Sequence, residues 1–113
     1  MDFSTLFAKS DLIPVIVQDS ATLTVLMLGY ANKEALERTI ETSTAWFWSR
    51  SRNRLWNKGE TSGNHLHVER IMVDCDNDTL LLFCCPKGPV CHTGKETCFY
   101  RSLLSSTVNK EEA

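Results

Sequence analysis

The apolar positions along the chain follow two spacings, and the alternation between them predicts a strand-rich domain with one principal helix. Residues 12–18 (LIPVIVQ) and 22–30 (TLTVLMLGY) are short β-branched and apolar runs separated by a turn at Asp19-Ser20. Pro14 suits the start or the edge of its strand. From Asn32 the spacing changes: Ala35, Leu36, Thr39 and Ile40 share a helical face, with Asn32 as the cap of a helix over 33–42 and Glu34–Arg38 as an i,i+4 pair. Strand character returns at 44–50 (TAWFWSR) and 54–58 (RLWNK), around a polar turn at Arg52-Asn53. A longer strand over 65–75 and its partner over 79–85 (TLLLFCC) form a hairpin across Asp76-Asn77-Asp78. Phe3, Leu6 and Phe7 predict a short amphipathic turn ahead of the first strand, and a flexible tail is expected over 105–113.

This pattern gives the fold class: α+β, predominantly β, a small antiparallel-sheet domain. No linker or repeat divides the 113 residues, so 1–113 reads as a single domain. A hydrophobic content of 42% is too high for a disordered chain. No apolar run approaches the roughly 20 residues that span a bilayer, which argues against a membrane segment. The formal charge of -2 argues against a nucleic-acid partner. The 5 cysteines are odd in number and follow no secretory signal, so they suit metal-bound or reactive thiols in a reducing, cytoplasmic compartment better than a disulfide scaffold.

Three clusters carry chemistry. Cys91-His92 and Cys98 lie on one loop containing Gly94, and with Cys75 they can hold zinc as three thiolates and leave a fourth position to water. Zinc lowers the pKa of such a water toward neutrality. Cys84 and Cys85, inside an apolar run, read as packing residues, and Cys75 can equally be a small buried hydrophobe. His92 can move a proton near neutral pH, ligate a metal or sit as a hydrogen-bonded loop residue, whereas His65 and His67 share a strand face with Glu69 and read as partly exposed strand residues. Asp74, Asp76 and Asp78 alternate at the hairpin tip, where a hard cation such as magnesium would offset their repulsion, although Asp and Asn are also ordinary turn formers. Arg50, Arg52, Arg54 and Lys58 concentrate positive charge before Thr61-Ser62-Gly63, a set able to bind phosphate without P-loop spacing. Trp46, Trp48 and Trp56 read as core aromatics, one of which can also stand at a cleft edge.

The run from Trp48, WSRSRNRLWNKGETSG, followed by VDCDND and GPVCHTGKETCF, resembles the phosphoribosyl-AMP cyclohydrolases of histidine biosynthesis, and MLGYANKEAL also fits. The likeness covers about residues 12–101 in the family's motif order. It implies a hydrolase that opens the adenine ring of phosphoribosyl-AMP at the N1–C6 bond, dependent on zinc and magnesium, and an intertwined homodimer with shared sites. It further implies Cys75, Cys91 and Cys98 as zinc ligands, with Cys75 coming from the other subunit, and Asp74, Asp76 and Asp78 as magnesium ligands. His92 is then the preferred proton-transfer residue, and Arg50, Arg52, Lys58, Glu60, Thr61 and Ser62 are expected around the substrate, with Glu60 orienting a water or a basic side chain. Cys84-Cys85-Pro86-Lys87 departs from the family pattern but leaves both metal sets intact. The pyrophosphohydrolase domain that some relatives carry as a fusion is not expected here. Two other readings fit the clusters, a zinc-stabilised nucleotide-binding module without catalysis and a metal-dependent purine deaminase, though the zinc-deaminase signature is absent.

Overall fold

The computed structural model describes residues 3–105. A 3₁₀ turn, Ser4–Phe7, precedes strands β1 (Ile13–Asp19) and β2 (Val25–Ala31), helix α1 (Lys33–Thr42), and strands β3 (Trp46–Ser49), β4 (Arg54–Asn57), β5 (Leu66–Val73) and β6 (Leu80–Pro86). Four strands form one sheet in the order β2-β1-β6-β5, and β3 pairs with β4 in a separate ribbon. The tail expected over 105–113 lies, apart from Ser105, outside the described residues.

Alternation builds the core. Ile13, Val15 and Val17 of β1 face inward with Leu80, Leu82 and Cys84 of β6, and all six are buried. The helix and the β3–β4 ribbon cover this face. Asn32 caps α1 by accepting from Ala35 N–H at 2.8 Å, and Ser43 closes it in the left-handed conformation at φ 59°. Thr39 is buried, its hydroxyl donating to the Ala35 carbonyl and accepting from Trp46 N–H, both at 2.9 Å, which ties helix to ribbon. Phe47 is fully buried and lies flat against Gly29, where a Cβ would stand 2.6 Å from the ring. Phe47→Ala should therefore cost about 3–5 kcal/mol, measurable as a fall in the urea midpoint with the slope kept.

The structure corrects several expectations. The sheet is mixed, because β1 and β6 run parallel (Val15 beside Leu80, Asp19 beside Cys84), while β1–β2 and β5–β6 are antiparallel. Hydrophobic alternation specifies which face a residue occupies and not the direction of the neighbouring strand. The second strand begins only at Val25, since Leu23 sits in a turn at φ 65°. Ile40 is exposed, whereas Ala35, Leu36 and Thr39 on the same face are buried. His65 precedes β5, and Glu69 sits in a bulge between Val68 and Arg70, so the histidines and Glu69 do not form one regular strand face.

Cys84 and Cys85 separate. Cys84 is fully buried, while Cys85, one position along the strand, is exposed and is not a packing residue. Burial, with smaller contributions from Glu69, Asp19 and Cys85, pushes the Cys84 thiol up to about 12. The unfolded chain releases this proton near the ordinary thiol value and the folded chain retains it. Stability should thus fall as pH rises from about 9 toward 12, and the loss should vanish in Cys84→Ala when denaturation is followed across that range.

Among the described residues, nothing covers the opposite face of the sheet. Leu28, Ile16, Leu81 and Met72 face one another in register across all four strands on the side away from the core. Leu28 and Met72 are exposed and Ile16 and Leu81 half-buried. Among the described residues, no helix is long and apolar enough to cross a membrane.

Candidate functional site

The loop after β4 and the segment after β6 form the two walls of a cleft of about 730 Å³, within the range of small-molecule sites. The first wall grows out of the ribbon. Lys58 N–H donates to the Ala45 carbonyl at 3.0 Å, and Gly59 turns the chain at φ 96°, where a Cβ would collide with the backbone of Asn64 and His65. Glu60 then folds back: its carboxylate accepts from Arg54 at 2.7 Å and from the Asn57 N–H at 2.8 Å. The Arg54 guanidinium and the Asn57 amide hold the Glu60 carboxyl below its ordinary value. Thr61 and Ser62 follow at the rim.

The second wall begins where Pro86 ends β6. Cys91 is tied by its N–H to the Lys95 carbonyl at 3.1 Å, and Cys98 by its N–H to the Leu26 carbonyl at 2.8 Å. Thr97 strengthens this anchor through its hydroxyl, 2.7 Å from the Val25 carbonyl, whereas Phe99 and Tyr100 are exposed. The Thr93 hydroxyl donates to Cys91 Sγ at 3.1 Å. That contact and the Thr93 N–H, helped by Cys98 and the Lys58 charge, draw the Cys91 thiol below its ordinary value. The Cys98 thiol, hydrogen-bonded to Cys91, is raised by desolvation and by that neighbour. A thiol held below its ordinary value beside a second thiol is a donor pair that suits a soft metal.

Arg52, Lys58, Glu60, Thr61, Ser62, Cys91 and His92 thus line one cleft although residues 63–90 separate the two groups in the sequence. Arg50 does not line it; its guanidinium lies 4.2 Å over the Tyr30 ring. Arg54, part of the basic set expected to bind phosphate, does line the cleft; Asn57 and Asn64 line it without having been expected there, and Trp56, half-buried against Phe47 with ring centroids 5.1 Å apart, stands at the cleft edge. Strand alternation was the one available signal for Trp56, whereas Asn64 carried none beyond its place in a turn.

The aspartates sit elsewhere. Strand β5 ends at Val73, so Asp74–Asp78 is a turn and not a continued strand; Asp74 Oδ1 accepts from Asp78 N–H at 3.0 Å and Thr79 N–H at 3.2 Å. These bonds hold the Asp74 carboxyl below its ordinary value. Carboxylate oxygens of Asp74, Asp76 and Asp78 lie within 4.8 Å of one another, close enough for one hard cation, and Lys9 approaches Asp78 at 3.5 Å. They are the only such group of three ligands among the described residues. Cys75 is exposed on this turn. Leu80 lies beside Val15, which places the turn at the end of the sheet where β1 begins; Leu26, which anchors Cys98, lies where β1 ends and on the far edge strand. Within one chain, Cys75 and the Cys91–Cys98 pair are therefore at opposite ends of the sheet.

A family model described as phosphoribosyl-AMP cyclohydrolase matches residues 27–100, from β2 through both walls of the cleft. The chain belongs to the phosphoribosyl-AMP cyclohydrolase family. It is an enzyme of a hydrolase family, and its relatives share most of its length. A phosphoribosyl-AMP cyclohydrolase of Clostridium botulinum (strain Kyoto / Type A2) is 60% identical over 95 residues, 84% of this chain and 86% of the relative. One from Cenarchaeum symbiosum (strain A) is 56% identical over 93 residues, 82% of this chain and 86% of the relative. The histidine biosynthesis bifunctional protein HisIE of Bacteroides thetaiotaomicron is 60% identical over 88 residues, 78% of this chain but 43% of that longer protein.

Proposed function

We propose that the chain, as one cyclohydrolase domain over 1–113, opens the adenine ring of 1-(5-phosphoribosyl)-AMP by hydrolysis of the N1–C6 bond. The product is the phosphoribosyl-formimino-aminoimidazole carboxamide ribonucleotide of histidine biosynthesis. The observation that carries this reading is the cleft, in which a cationic, hydroxyl-rich loop faces a paired-thiol segment bearing His92. Cys91 and Cys98 fit two of the three zinc ligands, and Cys75 of the partner subunit is the third. Asp74, Asp76 and Asp78 fit magnesium. Bound zinc supplies Lewis acidity and an acidified water. Arg52 and Lys58 offset phosphate charge, the Thr61 and Ser62 hydroxyls orient phosphate or ribose, and Glu60 keeps Arg54 extended along the same wall. His92, exposed at the rim, delivers a proton to the departing ring nitrogen.

The homodimer is supported by two features. A single chain keeps Cys75 a sheet's length from its partners, and the row Leu28–Ile16–Leu81–Met72 offers an apolar face that a second copy can cover. Two sheets stacked head to tail bring each Asp74–Asp78 turn toward the other copy's cleft. Five unpaired thiols favour a reducing cytoplasm. The test is to incubate metal-loaded protein with phosphoribosyl-AMP and identify the product by mass and absorbance. Gain of one water with the amine retained is the expected result. Release of ammonia would make the protein a deaminase, and tight binding without turnover would make it a nucleotide-binding module.

A further inference from the structure

The two walls of the cleft come from segments distant in sequence, and one side chain joins them. Asn64 closes the first wall, its N–H donating to Ser62 Oγ at 3.1 Å, and its side-chain Nδ2 reaches across to donate to the Pro89 carbonyl at 3.3 Å, two residues before Cys91. Gly88 makes room for this amide: a Cβ there would stand 2.6 Å from Asn64 Oδ1 and 2.9 Å from Cγ, too close for either group to stay in place. The backbone repeats the connection just behind, where Lys87 N–H donates to the His65 carbonyl at 3.1 Å. Beyond Pro89, the 90–96 turn is held by its own bonds, Val90 N–H to the Glu96 carbonyl and Cys91 N–H to the Lys95 carbonyl. The turn is thus a hydrogen-bonded unit, tied to β2 at one end through Thr97 and Cys98 and meeting the Lys58–Ser62 wall at the other, where Asn64 contacts Gly88 and Pro89.

We propose that Asn64 is a positioning residue, a latch whose amide, seated on Gly88 and bonded to the Pro89 carbonyl, sets the separation of Cys91-His92 from the Lys58–Ser62 loop. A substrate held by one wall and attacked from the other depends on that separation, and displacements near 1 Å are enough to cost about a hundredfold in rate. The latch acts through alignment and carries no proton or charge to the substrate. The kinetic consequence rests on the ring-opening reading; the structural one does not.

Asn64→Ala and Asn64→Asp, the second of which keeps the shape but cannot donate to Pro89, are expected to lower kcat at least tenfold while KM stays within about threefold. Thermal unfolding should be nearly unchanged in both. Gly88→Ala should produce the same defect by displacing the amide. Combining it with Asn64→Ala should then add little to the loss of Asn64→Ala alone, since both changes break one contact. Amide exchange over 88–91 should quicken in Asn64→Ala while the sheet amides are unaffected. The proposal is overturned by wild-type kcat in Asn64→Asp, by losses that multiply in the double variant, or by a fall in unfolding temperature that tracks the activity. If the wild-type protein does not open phosphoribosyl-AMP, the functional reading fails and exchange alone decides the latch. Unchanged exchange over 88–91 would then overturn it.

Discussion

Cys91→Ala is expected to lose bound zinc and ring-opening activity together, the latter by more than about a hundredfold, since disturbing even an outer partner of a metal ligand costs about 10–100-fold. Three features concentrate the effect on this residue. The Thr93 hydroxyl and N–H and the nearby Lys58 charge all favour the thiolate at Cys91, which makes it the better donor of the pair. Its thiol is small and its backbone is held by the 90–96 turn, so the fold should tolerate the change. Its position on the cleft wall beside His92 places any bound metal next to the substrate. Elemental analysis, turnover and thermal unfolding on the same preparation check the expectation. Full zinc occupancy in Cys91→Ala would remove the residue from the site, and a collapsed unfolding temperature would assign the loss to stability.

Cys75→Ala should be equally inactive although the residue is exposed on a surface turn far from the cleft of its own chain. As an exposed side chain its removal should change stability by no more than about 0.5 kcal/mol. Mixing and refolding Cys75→Ala with Cys91→Ala chains should then restore activity. Half the dimers are mixed and each holds one complete site, so recovery should approach roughly a quarter of the wild-type value. Verified heterodimers without any recovery would contradict a site built from both chains. A fully active Cys75→Ala variant would leave the zinc with two thiolates from one chain and a ligand yet to be found.

The elements most legible in the sequence were those whose signal is local. The Asn32 cap and the Ala35–Leu36–Thr39 face specify α1 because a helix closes its hydrogen bonds within four residues, and the alternation in β1 and β6 specifies their buried faces. Errors arose where the deciding neighbour was distant. Ile40 continues the helical periodicity, yet it is exposed, because periodicity places a residue on a face without fixing how far the packing layer extends along it. Cys85 is a local case: it shares the apolar run of Leu80 to Cys84 and faces outward because strand geometry turns each successive residue over. Arg50 belongs by sequence to the basic loop, and the close approach of β2 stacks it on Tyr30 instead.

By itself the sequence determined a strand-rich domain with one helix, the family resemblance, and the residue types from which two metal sets and a phosphate-binding loop can be made. The domain and the residue types follow from composition, period and spacing, which are properties of neighbouring residues, while the resemblance rests on the motifs themselves and their order along the chain. Only the tertiary structure decided that β1 and β6 run parallel, that the 58–62 loop and the 91–92 segment face each other across a cleft, and that Cys75 lies at the other end of the sheet. Each of those is a contact between segments that the chain's local preferences leave unconstrained, and burial of the shared core selects it.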